Sequence, residues 1–198
     1  MRIVCLASGG LDSSVLLWKT WKKGHVVVPL FIDYGQRAAA QEHRAASRIC
    51  GKIGINLERI DIPGLSDIDN GLSDPVHWAA HVFHARNMIL LSVAASLAAS
   101  RSIRVIGIGV HGTADFPDQT GAFVRSAERT LSKATGAKMV LFAPFIKFNK
   151  ADIAKLGMDA GTPIGMTYSC YMGRRAPCGR CPSCTDRQRA LDWMVQNA

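Results

Sequence analysis

Residues Ile3-Val4-Cys5-Leu6-Ala7-Ser8-Gly9-Gly10-Leu11-Asp12-Ser13-Ser14-Val15-Leu16-Leu17 run from one apolar stretch through a glycine pair into a second apolar stretch. The order reads as strand, tight turn, helix. Two glycines let the backbone turn with no Cβ in the way, and the serines with Asp12 are expected to cap a helix that begins at Ser13. Free backbone N–H groups at such a helix start, joined by serine hydroxyls, make a pocket for phosphate oxygens. Asp12 has no use as an anion ligand, so its expected role is to hold the magnesium ion that accompanies a nucleotide. The stretch lacks both the Gly-Lys-Ser/Thr ending of a Walker A loop and the three spaced glycines of a dinucleotide fingerprint. A capped turn with no ligand is the plain alternative.

Working outward, strands are expected at Arg2–Ala7, Val26–Asp33, Leu57–Ile62, Arg104–Val110 and Met139–Pro144. Most are short apolar runs without clean alternation, as when helices cover both faces of a sheet. Helical stretches fall near Ser13–Lys23, Arg37–Cys50, Arg86–Ala99 and Gly121–Thr135. The alternation predicts a doubly wound, mostly parallel α/β sheet. Ligands bind such sheets beyond the carboxyl ends of the strands. Ser8–Ser14, Asp33-Tyr34-Gly35-Gln36 and His111-Gly112-Thr113-Ala114-Asp115 should therefore converge. Pro63–His84, rich in Gly, Ser, Asp and Pro, reads as one long loop.

The chain has 198 residues, 48% hydrophobic and 20% charged, which suits a soluble globular protein with an ordinary core. No apolar run is long enough for a membrane span, no signal peptide is expected, and a cytoplasmic location is. The formal charge of +9 points to an anionic partner such as a nucleotide, an acidic small molecule or a nucleic acid.

Cys170, Cys178, Cys181 and Cys184 place four thiols in a short window, with Gly179 and Pro182 between them. That spacing suits a four-cysteine, structural Zn²⁺ site rather than a redox pair, and it lowers the charge to about +7. Two units are expected: residues 1–165 as the nucleotide-binding α/β domain, and 166–198 as the zinc knuckle with a C-terminal helix. Cys5 and Cys50 read as small buried hydrophobes. His77, His81, His84 and His111 match no helical ligand pair, with His84 a weak candidate for substrate contact. Arg174, Arg175, Arg180, Arg187 and Arg189 read first as a solvated or thiolate-neutralising rim.

Ser8-Gly9-Gly10-Leu11-Asp12-Ser13 resembles the signature of PP-loop ATP pyrophosphatases. Phe31-Ile32-Asp33-Tyr34-Gly35-Gln36-Arg37, Arg86-Asn87, Tyr168-Ser169-Cys170-Tyr171 and Pro177-Cys178-Gly179-Arg180-Cys181-Pro182-Ser183-Cys184 follow in order. With them the chain resembles the 7-cyano-7-deazaguanine synthase family of queuosine biosynthesis. The resemblance implies an ATP-dependent ligase that converts 7-carboxy-7-deazaguanine and ammonia to the nitrile through an activated carboxylate and an amide, as a homodimer. It implies ATP with Mg²⁺ on Ala7, Ser8, Gly9, Gly10, Leu11, Asp12, Ser13 and Ser14, with Asp33, Tyr34 and Gln36 at the nucleoside. Asp12, Ser13 and Arg86 take the catalytic roles.

Arg86 opens an apolar helix, where a cation opposes the helix dipole; an anion facing it, or a side chain snorkelling to solvent, explains its place. Asn87, Asp115 and Asp118 join Arg86 as substrate residues. Asp115 and Asp118 are suited to a guanine-like donor edge, and helix capping accounts equally for Asp118. Two stretches depart from the family pattern: Phe83-His84-Ala85 replaces a Val-Pro-x, and Ala114–Thr120 keeps only an aromatic-Pro-Asp core. They leave open a relative that joins the activated carboxylate to another amine, on a protein or nucleic acid. A non-catalytic zinc module that binds nucleic acid is a second alternative, and the intact loop argues against it.

Overall fold

Among the described residues five strands form one sheet in the order β3-β2-β1-β4-β5, and every neighbouring pair is parallel. The computed structural model describes residues 1–65, 84–112 and 116–196, and leaves the side chain of Gln196 undescribed. The strands are β1 (Arg2–Leu6), β2 (Val26–Asp33), β3 (Glu58–Asp61), β4 (Val105–Gly107) and β5 (Val140–Phe142). The helices are α1 (Leu11–Lys22), α2 (Ala39–Gly51), α3 (Arg86–Ser100), α4 (Gly121–Thr135), α5 (Lys150–Ala160) and α6 (Pro182–Gln196).

The pleat sorts β1 residue by residue. Ile3 and Cys5 pack with Leu17 of α1 and with Ile49 and Cys50 of α2. Val4 and Leu6 point the other way, into a core built with Leu91, Ala94 and Ala98 of α3 and Val124 and Leu131 of α4. Both faces are thus covered, which explains the unbroken apolar runs. The chain winds from β1 outward to β3, then returns to β1's other side with β4, so the strand order reverses between β1 and β4. A crevice opens there, beyond the carboxyl ends of the strands.

Three expectations are corrected. First, α1 begins at Leu11, with Gly10 as its extended N-cap (φ −74°, ψ 168°) and no side-chain cap. Ser13 and Ser14 instead donate their hydroxyls back to the Gly10 carbonyl, at 3.2 and 2.7 Å. Second, β4 spans only Val105–Gly107 and β5 only Val140–Phe142, with one further bond from the Ile108 N–H to the Phe142 carbonyl at 3.0 Å. The chain after β4 turns towards the loop, and a Cβ at Gly109 would lie 3.0 Å from backbone atoms of Asp12 and Ser13. Third, α5 was not expected. Asn149 and Asp152 form a reciprocal capping box at 2.9 Å, and Gly161 ends the helix at φ 72°.

Helix α5 packs on α1, and α6 packs on α5. Leu11, Val15, Phe145, Ile153 and Ala190 share one core cluster, so the C-terminal helix is seated against the α/β layers. No helix among the described residues is long and apolar enough to cross a membrane.

Candidate active site

A cavity of about 540 Å³ lies in the crevice. Ala7, Ser8, Gly10, Leu11, Asp12 and Ser13 line one end of it. Gly9 does not, because it holds the turn from behind. Its φ is +75°, and a Cβ there would come 2.4 Å from the Glu42 carbonyl oxygen. Left-handed backbone and close approach to α2 together require glycine. Ser8 Oγ lies 3.0 Å from Ser13 Oγ, and the Tyr168 N–H donates to the Gly9 carbonyl at 2.9 Å. The segment leading to the cysteine cluster therefore clamps the loop directly. Ser14, 3% exposed, is turned into its own helix and away from the cavity.

Asp12 is the most informative side chain at this end. Its Oδ2 is ion-paired with Lys150 Nζ, and its Oδ1 is buried with no hydrogen-bond partner. A buried carboxylate oxygen without a donor is costly, and a bound cation removes that cost. Lys150 is the first residue of α5 and had no signal of its own; only the unrecognised capping box Asn149-x-x-Asp152 could have placed it. His111 lines the same end, and burial, then the nearby Lys150, lower its pKa below the ordinary histidine value.

Another part of the lining comes from β2, α2, α3 and the cysteine segment: Tyr34, Gln36, Glu42, Arg86, Asn87 and Tyr171. The Gln36 amide is committed: Oε1 accepts from the Tyr34 N–H at 2.9 Å, and Nε2 donates to Glu42 Oε2 at 3.0 Å and to the Ile32 carbonyl at 3.4 Å. Burial raises the pKa of Glu42, while the Gln36 hydrogen bond and the Arg86 charge pull it back and Asp33 adds to the rise. Arg86 also hydrogen-bonds Tyr34, whose own pKa burial raises.

Two sequence candidates are occupied elsewhere. Asp33 accepts from the Gly35 N–H at 3.0 Å and pairs with Arg59 at 2.9 Å, and it does not line the cavity. Asp118 Oδ2 accepts from the Asn87 N–H at 2.9 Å, and the Asn87 amide donates to the Asp118 carbonyl at 3.0 Å. Asp118 thus caps α3, whose own N-cap, Ala85, has φ 59° and offers no side chain. Helix α4 is capped by Thr120 instead. The charge of Asp118 beside the first turn also offsets the cation that Arg86 brings to that helix end. Asp115, His77, His81 and most of Pro63–His84 lie outside the described residues, and His84 is exposed.

The four cysteine sulfurs lie within 4.8 Å of one another, with Cys170, Cys181 and Cys184 buried. Cys178 Sγ and Cys184 Sγ are 4.0 Å apart, too far for a disulfide and close to the spacing of about 3.8 Å expected in a tetrahedral four-thiolate site. At Cys178 burial raises the thiol pKa, but N–H donors from Arg180 and Cys181 together with hydrogen bonds to the Cys170 and Cys181 thiols bring it down to about 6. This cluster can hold a metal ion, and its soft donor set suits Zn²⁺. Pro182, Ser183 and Asp186 at the start of α6 form a wall of the cavity. Arg187, expected in a solvated or thiolate-neutralising rim, is folded inward: its Nε donates to Thr167 Oγ1 at 3.0 Å, and Cys184 lies close enough to act on its charge.

Comparison with known proteins bears on the whole chain. The family model described as queuosine biosynthesis protein QueC matches residues 2–195. A 7-cyano-7-deazaguanine synthase from Aquifex aeolicus (strain VF5) is 32% identical over 213 residues, covering 96% of this chain and 95% of that one. Among solved structures, NMN synthetase from Francisella tularensis superposes with a TM-score of 0.61 at 15% identity, over 98% of this chain and 76% of that one. A 4-thiouridine synthetase in complex with RNA and bound ATP gives 0.55 at 19% identity; this chain, 98% covered, spans about half of it (51%). These two share the fold.

Proposed function

The chain belongs to the QueC family of queuosine biosynthesis proteins, and from that membership we propose that it is an ATP-dependent ligase acting on 7-carboxy-7-deazaguanine and ammonia. The observation that carries this reading is the buried, unpartnered Oδ1 of Asp12, beside Lys150, in a cavity that also holds Arg86. A carboxylate oxygen is a poor leaving group. Attack of the substrate carboxylate on the α-phosphorus of ATP converts it into a mixed anhydride and releases pyrophosphate. Ammonia then displaces AMP to give the amide, and a second ATP activates the amide oxygen for loss as AMP, leaving the nitrile.

The work of the protein in these steps is positioning and charge neutralisation. The N–H groups at the uncapped start of α1, with Ser8 and Ser13, receive the β- and γ-phosphates, and Lys150 neutralises their charge. Asp12 would hold a magnesium ion, which would supply further neutralisation of pyrophosphate charge. Arg86 and Asn87 contact the acid substrate. Cys170, Cys178, Cys181 and Cys184 hold one structural zinc, which leaves no position open for chemistry. We assign the active form as a cytoplasmic homodimer on the family resemblance.

Incubating the protein with 7-carboxy-7-deazaguanine, ATP and ammonia tests this reading by mass spectrometry. The nitrile is expected, with the amide as a transient species. ATP consumption with the acid left unchanged would overturn the substrate assignment, and a product requiring an added amine would identify the amine-conjugating relative.

A further inference from the structure

We propose that Glu42 is a specificity-determining residue, whose carboxylate reads the adjacent N–H donors on the pyrimidine edge of the substrate base while Arg86 donates to the neighbouring carbonyl. The inference deepens the proposed function and rests on a guanine-like substrate.

Three carboxylates line the cavity among the described residues: Asp12, Glu42 and Asp186. Asp12 is bound to Lys150, and Asp186 acts on His111 at that same end. Asp186 also acts on Tyr171, and Glu42 is the one of the three that Gln36 holds beside Tyr34 and Arg86. Asp33 and Asp118 are spent on Arg59 and on the start of α3. The ring N–H and exocyclic amine of a guanine-like base need an acceptor pair, and a carboxylate supplies two oxygens in one plane.

Glu42 is also held ready. Gln36 donates to its Oε2 at 3.0 Å, and Gln36 is itself fixed by the Tyr34 N–H at 2.9 Å, so the carboxylate is oriented before any ligand arrives. Arg86 lies close enough for its charge to act on Glu42. Carboxylate beside guanidinium is the complement of donor, donor, acceptor along the guanine edge. Tyr34 and Tyr171 line the same end and supply flat faces for a ring. Adenine presents a ring acceptor where guanine presents a donor, so Glu42 also repels the base of ATP from this end. Burial raises the cost of the Glu42 charge, a cost that donors on a ligand offset.

The test measures binding of 7-carboxy-7-deazaguanine, of its analogue lacking the exocyclic amine, and of a non-hydrolysable ATP analogue, to the wild-type protein and to Glu42→Gln. Wild type is expected to prefer the amino-bearing acid by about tenfold or more, since a missing donor leaves a buried acceptor unpaired. Glu42→Gln should narrow that preference to about threefold or less, with ATP-analogue affinity unchanged and melting near wild type. Glu42→Asp, which keeps the charge but shortens its reach, should fall between. A wild-type protein that binds both acids equally overturns the proposal, whatever the variants do. So does a preference that survives in both variants, or a loss confined to the ATP analogue. Wild type that binds neither acid overturns the functional reading along with it.

Discussion

At one end of the cavity six lining residues come from the eight-residue stretch 7–14, whereas at the other Tyr34, Glu42, Arg86 and Tyr171 arrive from four separate segments of the chain. The first end is a local structure. A strand, a left-handed glycine and an uncapped helix start place N–H groups and Asp12 within a few residues of one another, and Lys150 completes them from 138 positions away. The second end exists only because β2, α2, α3 and the cysteine segment meet. A contiguous site can be read from its spelling. A dispersed site depends on packing, so changes outside it can disturb it.

Asp12→Asn should separate the two ends most sharply. We expect ATP-dependent turnover to fall by about a hundredfold or more, with acid binding and thermal melting little changed, because the lost charge is the one proposed to hold the magnesium ion. Equal loss of acid affinity would show that the ends are not independent.

Disrupting the cysteine cluster should strike both ends at once, since Tyr168 clamps Gly9 and the start of α6 walls the cavity. Elemental analysis of wild type is expected to find about one zinc per chain. Cys181→Ser, or chelation, should release it together with much of the folding stability. A wild type free of metal but fully folded contradicts this.

Gly9→Ala should be intermediate. The positive φ and the 2.4 Å approach to the Glu42 carbonyl make a destabilisation of about 1–3 kcal/mol the expected result, read by denaturant titration. ATP and acid affinities should fall together, because the displaced helix carries Glu42.

The smallest effect is expected from Asp118→Ala. Loss of the Asn87 N–H acceptor should cost about 1 kcal/mol, a melting shift of about 2–4 °C. Acid binding should weaken slightly through Arg86, and ATP binding should hold. A tenfold loss of acid affinity with unchanged melting would instead make Asp118 a reader of the base.

Much of the fold was legible because both faces of the sheet are covered, which writes apolar runs into β1, β2, β4 and β5, while the edge strand β3 (Glu58–Asp61) alternates. α5 was missed: at 11 residues, with Gly157 inside it, its periodicity is weak, although its capping box and terminal glycine were there to be read. Asp33 and Asp118 read from the sequence either as ligand residues or as a strand-ending turn and a helix cap, because carboxylates at such places serve both. Glu42 was passed over. A charged residue among Ala39, Ala40, Gln41 and His43 reads as a solvated helix face.

The sequence by itself determined the parallel α/β class, the glycine turn at the mouth of β1 and the four-thiol cluster, because each is set by interactions within a few residues. Only the tertiary structure decided that Lys150 neutralises Asp12, that the cysteine segment clamps Gly9, and that Asp118 caps α3 while Glu42 enters the cavity. A carboxylate's role depends on which donors surround it. Those donors come from strands and helices that are distant in sequence and meet when the sheet is covered on both faces.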